Sequence, residues 1–306
     1  MFSKRFEQAG SVLLLTVFVI AGCSSGPQKP METTTAGTIN ISVDESFKPV
    51  IDSQVKVFES LHPDAHINVN YKPESACLTD LNSDSTRMII ITRGLNDKEQ
   101  EALQKKLNYP PGYAPLAFDA IAVITNNKSK DSIFSMDDIR SIAKGTGKFK
   151  YKLLLDGTSA TSTVRFVHDS LMSGKPLSSN VVAAKNSEAV INYIADNDDA
   201  IGLVGVSWVG NKNDPQQISF LERVKIAAIE CRDCKGSFVK PYQANIVQGR
   251  YPMVRTLYYI LKENYGGVGS GFTNFLIYEK GQLIFSRAYL WPARMQFSVR
   301  DMNISE

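Results

Sequence analysis

Hydrophobic and polar residues follow two different periods along this chain, one typical of strands and one typical of helices. Segments 38–43 and 66–71 alternate with a period of two, which predicts strands with one buried face. Between them, apolar residues recur at helical spacing from position 47 to position 61, which predicts a helix. This strand–helix–strand order is typical of a parallel sheet with helices packed on its faces.

The same alternation continues through the rest of the chain. Short apolar segments predict further strands, at 88–91, 116–124, 152–155, 201–206 and 241–247. Helical spacing predicts further helices, at 97–107, 136–143, 164–171, 189–194, 253–261 and 272–285. Asn96 and Glu99 have the spacing of a capping box at the start of the first of these helices. The pattern as a whole predicts an α/β fold with largely parallel sheets.

The first residues have the pattern of an export signal. Lys4 and Arg5 precede an apolar run at 11–20 that is too short for a permanent membrane span. The following Ile-Ala-Gly-Cys at 20–23 resembles the bacterial lipobox, in which the cysteine receives the lipid. We therefore expect a lipoprotein signal peptide at 1–22 and a lipid-anchored flexible linker at 23–37, with lipidation at Cys23. The alternative is an ordinary secretory signal with an incidental cysteine.

Composition narrows the class of protein further. The 306 residues carry 34 Lys and Arg against 31 Asp and Glu, a net charge of +3, which argues against nucleic acid as a partner. A hydrophobic content of 43% and this length are sufficient for two packed lobes.

The cysteines favour a structural role over a cofactor site. Cys231 and Cys234 form a lone C-x-x-C motif in an exported chain, and no further ligands follow at metal-site spacing. A local disulfide or two surface thiols are favoured over a redox or metal site. Cys77 is interpreted as a small buried apolar residue. No metal or other cofactor is expected.

A loop rich in hydroxyl groups is the most informative candidate site. Segment 156–163 follows a predicted strand and opens a predicted helix, and Thr161, Ser162 and Thr163 offer hydroxyl and amide donors to a compact oxyanion. Arg165, in the first turn, is placed to add a charge-assisted hydrogen bond. The alternative is a solvated turn in which Thr161 or Ser162 only caps the helix.

Two other strand ends carry residues that suit the same ligand. Thr92 and Arg93 follow the strand at 88–91, although an arginine at such a position also suits a surface ion pair. Ser46 follows the strand at 38–43. Asp44 and Glu45 beside it would repel an anion unless an acid accepts a proton from the ligand.

Several segments together resemble one known family, at 87–99, 117–123, 162–165, 200–205, 251–255, 281–284 and 290–293. Over residues 38–293 the chain resembles the phosphate-binding substrate receptors of bacterial phosphate ABC transporters, which have the type II periplasmic binding protein fold. The resemblance implies two lobes, each a mostly parallel sheet flanked by helices. Lobe 1 is expected at 38–118 and 239–306 and lobe 2 at 119–238, joined by two crossing strands.

The resemblance also implies the ligand and its contacts. Phosphate, or a similar oxyanion, is expected in the cleft between the lobes, for delivery to an ABC permease by a receptor anchored at the periplasmic or outer face of a membrane. The family's Ser-Gly-Thr turn corresponds to Thr161-Ser162-Thr163. The expected contacts are Ser46, Thr92, Arg93, Thr161, Ser162, Thr163 and Arg165.

Two features of the family are replaced in this chain. The arginine shortly before the turn is absent, and Arg93 and Arg165 are expected to replace it. The aspartate that accepts the proton of hydrogen phosphate is replaced by Thr92-Arg93. Four acids are candidates for a replacement acceptor, namely Glu74, Asp80, Asp119 and Asp156. Asp119 is equally interpreted as a hinge carboxylate satisfied by backbone donors.

Two other functions are weighed against the receptor. An enzyme requires a nucleophile with a base or a metal cluster, and the chain has three histidines. His62 and His66 have the spacing of helical metal ligands, but Pro63 makes a helix through them improbable. We therefore do not expect an enzyme. The remaining alternative is a lipoprotein that has lost phosphate binding and acts as a sensor or surface interaction protein.

Overall fold

The computed structural model of the protein describes residues 32–157, 161–211 and 213–294. The predicted signal peptide and its lipidation site, Cys23, lie outside these residues. The strands are β1 (Gly37–Asp44), β2 (Ala65–Lys72), β3 (Met88–Ile91), β4 (Gly112–Asn126), β5 (Ile133–Phe134), β6 (Lys152–Asp156), β7 (Val181–Ala184), β8 (Ala200–Gly205), β9 (Val224–Ile226), β10 (Ala228–Glu230), β11 (Phe238–Val239), β12 (Val254–Leu261) and β13 (Trp291–Pro292).

Ten α-helices are assigned within the described part of the chain. They are α1 (Lys48–Leu61), α2 (Glu74–Asp80), α3 (Asp97–Leu107), α4 (Met136–Ala143), α5 (Ser162–Phe166), α6 (Ser187–Asp196), α7 (Pro215–Leu221), α8 (Gln243–Val247), α9 (Val268–Ile277) and α10 (Glu279–Arg287). Short 3₁₀ turns follow β1 and β8, at Glu45–Phe47 and Val206–Trp208, and a π-helical turn at Val167–Leu171 continues α5.

The main sheet is built from two similar groups of strands. Its order is β2-β1-β3-β12-β4-β8-β6-β7, with β13 and β9 also paired to β4. In the first strand group, β1 is parallel to β2 and β3, and in the second strand group β6 is parallel to β7 and β8. Strand β12 is antiparallel to its neighbours β3 and β4. This mixed but largely parallel arrangement confirms the predicted α/β class.

Strand β4 belongs to both groups. Its residues 112–120 pair with β12 of the first group, and its residues 121–125 pair with β8 of the second. At the point of transfer, Asp119 lies opposite Arg255 of β12, and Ile121 lies opposite Gly205 of β8. One continuous strand therefore connects the two groups.

Local sequence explains why these elements form where they do. All four residues of β3 are buried, because the strand lies between β1 and β12 with both faces covered. Helix α1 buries Val50, Ile51, Gln54 and Phe58 on one face and has Pro49 in its first turn. The predicted capping box of Asn96 and Glu99 is present at the start of α3.

Two predicted elements are wrong, and they are neighbours in the sequence. Segment 241–247, predicted as a strand, contains helix α8, and segment 253–261, predicted as a helix, is strand β12. The burial of β12 alternates in its first half, with Arg255 and Leu257 buried and Val254 and Thr256 less so. Its β-branched and aromatic residues fit a sheet, and this preference outweighs the incidental helical spacing of its apolar residues. The predicted helix at 272–285 is divided into α9 and α10.

The beginning of the described chain is attached to the rest of the fold. Glu32, within the expected flexible linker, accepts hydrogen bonds from Arg87 at 2.8 Å and is thereby fixed to the folded body.

Cys231 and Cys234 form a disulfide, and Cys77 is buried as expected. Within the described residues, no helix has both the length and the apolar character needed to cross a membrane.

The alternation in β12 predicts unequal effects of two neighbouring substitutions. Leu257→Ala removes a fully buried side chain and is expected to lower the free energy of unfolding by about 2–5 kcal/mol. Thr256→Ala, on the other face of the strand, is expected to cost about 1 kcal/mol or less. Urea denaturation measures both values, and equal losses would contradict the strand assignment.

Candidate anion-binding site

Two strands, one from each group, end in buried aspartates that lie close together. Asp44 is the last residue of β1 and Asp156 is the last residue of β6, and neither is exposed to solvent. Each is followed by a short helical segment that contributes hydroxyl side chains, Ser46 after β1 and Ser162 and Thr163 after β6. Ligands of open α/β folds bind at this end of the strands.

Asp156 collects hydroxyl groups from three parts of the chain. Its Oδ2 accepts hydrogen bonds from the hydroxyls of Ser46 at 2.7 Å, Ser187 at 2.9 Å and Thr163 at 3.3 Å. Its Oδ1 accepts one from Thr161 at 2.9 Å. Thr161 also accepts a hydrogen bond from the Val164 amide, so it is the N-cap of α5 as well as part of this cluster.

Asp44 is held by backbone amides. Its Oδ1 accepts a hydrogen bond from the Ser46 N–H at 2.9 Å, and its Oδ2 accepts one from the Ser162 N–H at 3.0 Å. Burial raises the pKa of Asp44 to about 6, against the lowering effect of the Arg255 charge. Burial and the charge of Asp156 raise the pKa of the adjacent Glu45 to about 8.

Arg255 supplies the buried positive charge. Its Nε donates to Asp119 at 2.8 Å, and its Nη1 donates to the hydroxyls of Ser162 at 2.7 Å and Thr163 at 3.1 Å. The residue is only 6% exposed, and its guanidinium lies 4.7 Å from the ring centre of Phe47. Among the described residues, its Nη2 has no hydrogen-bond partner.

The two charges of this buried pair affect each other. Burial alone would lower the pKa of Arg255, but the charges of Asp119 and Asp44 outweigh it and the pKa is raised. Burial raises the pKa of Asp119, partly offset by the charge of Arg255. Each of the two charges therefore stabilises the other in the interior.

Glu74 forms a second cluster that also connects the two strand groups. Its Oε1 accepts hydrogen bonds from the Thr92 amide at 2.8 Å and the Thr92 hydroxyl at 2.9 Å. Its Oε2 accepts one from the Arg165 Nε at 2.6 Å, and the Arg165 Nη2 donates to the Thr92 hydroxyl at 2.9 Å. Arg165 lies on α5 after β6, whereas Thr92 follows β3, so this cluster ties one group to the other.

Arg93 has different partners. Its guanidinium forms a two-point ion pair with Glu99, at 2.8 and 2.7 Å, and donates to the Gly94 carbonyl. The hydrogen bond from Arg93 lowers the pKa of Glu99 to about 2. The charge of Glu74 still contributes to the raised pKa of Arg93, so Arg93 lies near the second cluster without a hydrogen bond to it.

The structure thus divides the predicted contacts into three sets. Ser46, Thr161, Ser162 and Thr163 are brought together around Asp156 and Arg255. Thr92 and Arg165 meet at Glu74, and Arg93 is engaged by Glu99.

Of the four candidate proton acceptors, two lie within the Asp156–Arg255 cluster and two do not. Asp156 accepts hydroxyl hydrogen bonds there, and Asp119 accepts the hydrogen bond from Arg255. Glu74 is at the centre of the second cluster, and Asp80 accepts from Ser42 and Lys72.

Sequence reasoning missed two members of the site. The predicted helix at 253–261 includes Arg255, and the signal that places this residue correctly is the alternation of β12, which sets it opposite Asp119. Ser187 is absent from the predicted contacts, although it follows Asn186, the N-cap of α6, at the end of another strand–helix connection.

The chain's family follows from a comparison with known proteins. Residues 29–280 match the family described as a PBP superfamily domain. The chain belongs to this superfamily. The match covers both strand groups and every residue of the site described above.

Individual relatives are distant but cover most of the chain. The phosphate-binding protein PstS of Staphylococcus haemolyticus is 20% identical over 309 residues, with 94% of this chain and 92% of the relative covered. PstS of Pseudomonas aeruginosa is 18% identical over 252 residues, with 76% and 74% covered. Both relatives are named as binding proteins, which agrees with the expectation that this superfamily member is not an enzyme.

Solved structures give the same architecture. A structure from Clostridium perfringens, described as a phosphate ABC transporter substrate-binding protein with bound phosphate, has a TM-score of 0.68 at 19% identity and covers 84% of this chain and all of its own. An ABC-type phosphate transport receptor from Vibrio cholerae has a TM-score of 0.61 at 16% identity, with 83% and 99% covered. The fold is therefore the two-lobed fold of periplasmic binding proteins, as the resemblance implied.

The buried ion pair predicts a large effect of a single substitution. Arg255→Met leaves Asp119 buried without its partner and is expected to lower the free energy of unfolding by about 3–5 kcal/mol. Adding Asp119→Asn should recover part of this loss, because the second change removes the uncompensated charge. Urea denaturation measures all variants.

Arg93→Met is the matched control for this experiment. The Arg93–Glu99 pair is partly exposed, with side chains 29% and 36% accessible, so its loss is expected to cost about 0–1 kcal/mol. If Arg255→Met were no more destabilising than Arg93→Met, Arg255 would not be part of a tightly coupled buried pair.

Proposed function

We propose that this chain binds phosphate, or a similar tetrahedral oxyanion, and acts as the substrate receptor of an ABC permease. The observation that carries the proposal is Arg255, a buried guanidinium beside the hydroxyls of Ser162 and Thr163, whose Nη2 amino group has no hydrogen-bond partner among the described residues. A guanidinium and convergent hydroxyls are suited to the geometry and charge of phosphate. The names of the relatives support the same ligand.

The contacts suggest a role for each group of residues. The anion is bound by hydroxyl, amide and guanidinium donors, which belong to Ser46, Ser162, Thr163 and Arg255. Asp156 orients these hydroxyls by accepting their hydrogen bonds, and Thr161 fixes the start of α5. Arg255 takes the role of the arginine that the family places before the turn.

The second cluster serves closure of the lobes in this proposal. Lobe 1 comprises 38–118 and 239–306 and lobe 2 comprises 119–238, so that the chain crosses in β4 and again within β11. The pairing of β4 with both strand groups supports the first crossing. Arg165 of lobe 2 meets Glu74 and Thr92 of lobe 1 and holds the lobes together over the ligand.

The receptor releases its ligand unchanged to the permease. Export and attachment at Cys23 place it at the periplasmic or outer face of a membrane, where the linker gives the lobes access to the permease. The lipobox-like sequence at 20–23 supports this arrangement.

A second candidate function is favoured by the charge of the site. Five acids surround the two guanidinium groups of Arg165 and Arg255, namely Asp44, Glu45, Glu74, Asp119 and Asp156. Glu45, with its pKa raised to about 8, is mostly neutral at pH 7, but four other acids remain beside two guanidinium groups, and this excess opposes a dianion. A lipoprotein that has lost phosphate binding and acts as a sensor or surface interaction protein is therefore the alternative.

Isothermal titration calorimetry with phosphate tests the receptor. We expect binding, and we expect Ser162→Ala and Thr163→Val each to weaken it about tenfold or more, since a hydrogen bond to a charged group contributes about 1.5–3 kcal/mol. No heat of binding at about 1 mM phosphate would favour the second candidate.

Two controls locate the site within the chain. Ser53→Ala removes an exposed hydroxyl on α1 and should leave affinity unchanged. Arg93→Ala should also retain affinity if the site is built on Arg255, whereas a loss comparable to that of Thr163→Val would make Arg93 a ligand contact.

The anchor is tested separately from binding. In cells, Cys23→Ala is expected to abolish incorporation of labelled fatty acid and to move the protein from the membrane fraction to the soluble exported fraction. Cys77→Ala, at a buried cysteine, is the control and should leave labelling unchanged. Equal labelling of the Cys23→Ala variant would rule out attachment at this residue.

A further inference from the structure

Asp44 occupies donors that the proposed anion would use. Its two carboxylate oxygens are bound by the N–H groups of Ser46 and Ser162, at 2.9 and 3.0 Å. One amide follows β1 of the first strand group and the other follows β6 of the second. The carboxylate therefore bridges the two groups as a small bound anion would.

Each of these donors has a single hydrogen. An N–H group that is bonded to Asp44 cannot bond equally well to a second acceptor, and a negative charge at Asp44 also repels an incoming anion. Asp44 is fully buried, so water screens this repulsion little. The charge of Arg255 acts on Asp44 as it would on the ligand.

We infer that Asp44 is an internal competitor of the oxyanion and sets the affinity of the site. The inference rests on the proposed function. An external anion binds as Asp44 gives up the amides of Ser46 and Ser162, and loss of the negative charge of Asp44 favours the anion. Affinity is therefore lower than the donors alone would provide, and it rises as Asp44 is protonated.

The groups around Asp44 are consistent with a carboxyl group that titrates near neutral pH. The titratable groups that act on it or respond to it are Glu45 beside it, Glu74 and Cys77 of α2, Asp156 of β6 and Arg255 of β12. Burial raises the pKa of Asp44 to about 6. Asp44 is thus mostly ionised above this value and mostly neutral below it, so competition weakens as the pH falls through about 6.

Calorimetry with inorganic phosphate on the purified full chain tests the inference. At about pH 7.5, Asp44→Ser is expected to bind phosphate at least about tenfold more tightly than the unsubstituted protein. At about pH 5 the ratio of the two dissociation constants should fall severalfold. The ionisation of free phosphate is the same in both titrations and cancels in this ratio when both proteins bind the same ionic form.

Two further variants separate the effect of the Asp44 charge from the effect of its hydrogen bonds to the two amides, and from the effect of removing any nearby acid. Asp44→Asn keeps the size of the side chain but not its charge, and it should gain part of the affinity. Asp80→Asn removes an acid that is bound by Ser42 and Lys72 and should change affinity by less than about threefold. Thermal unfolding confirms that each variant is folded.

The outcomes distinguish this inference from the proposed function. Equal or weaker phosphate binding by Asp44→Ser, or a ratio independent of pH, would overturn the inference and leave the receptor intact. Binding by Asp44→Ser alone would support the inference and show that the natural chain is not a phosphate receptor. Absence of binding in every variant would overturn both.

Discussion

The ion pair between Arg255 and Asp119 is the constraint on which the rest of the site depends. The two residues lie opposite each other on β12 and β4, and Asp119 is two residues before Ile121, where β4 begins to pair with β8. Burying both charges is unfavourable unless nearly all of their hydrogen bonds are made. The hydroxyls of Ser162 and Thr163 accept hydrogen bonds from Nη1 of Arg255, so the start of α5 is fixed relative to β4, while Nη2 has no partner among the described residues.

The same requirement explains the acid-rich character of the site. Asp156 accepts hydroxyl hydrogen bonds and Asp44 accepts amide hydrogen bonds, so the donors are held in position by the chain's own carboxylates. Preorganised donors favour binding because less ordering is needed when a ligand arrives. Donors that already have partners bind a ligand less strongly, since those bonds must be exchanged. Affinity depends on the balance between these two effects.

The fold of this chain is shared with proteins of low sequence identity. The relatives share less than a quarter of their residues with this chain, yet their structures superimpose over most of its length. A fold is maintained by the pattern of buried apolar positions, which tolerates substitution, whereas a binding site depends on particular side chains. In this chain the buried positive charge beside the Thr161–Thr163 turn comes from one such side chain, Arg255 of β12.

The sequence by itself determined the α/β class, the first helices and strands and the hydroxyl-rich turn, because these depend on local periodicity and on residues close together in the chain. It did not determine that β12 is a strand, since the spacing of its apolar residues also suits a helix and the sheet decides between them. Only the tertiary structure decided that Arg255 donates a hydrogen bond to Ser162, that Asp44 accepts hydrogen bonds from the amides of Ser46 and Ser162, and that Glu99 forms an ion pair with Arg93. Such pairings join residues distant in sequence or choose among several available partners, and packing selects them.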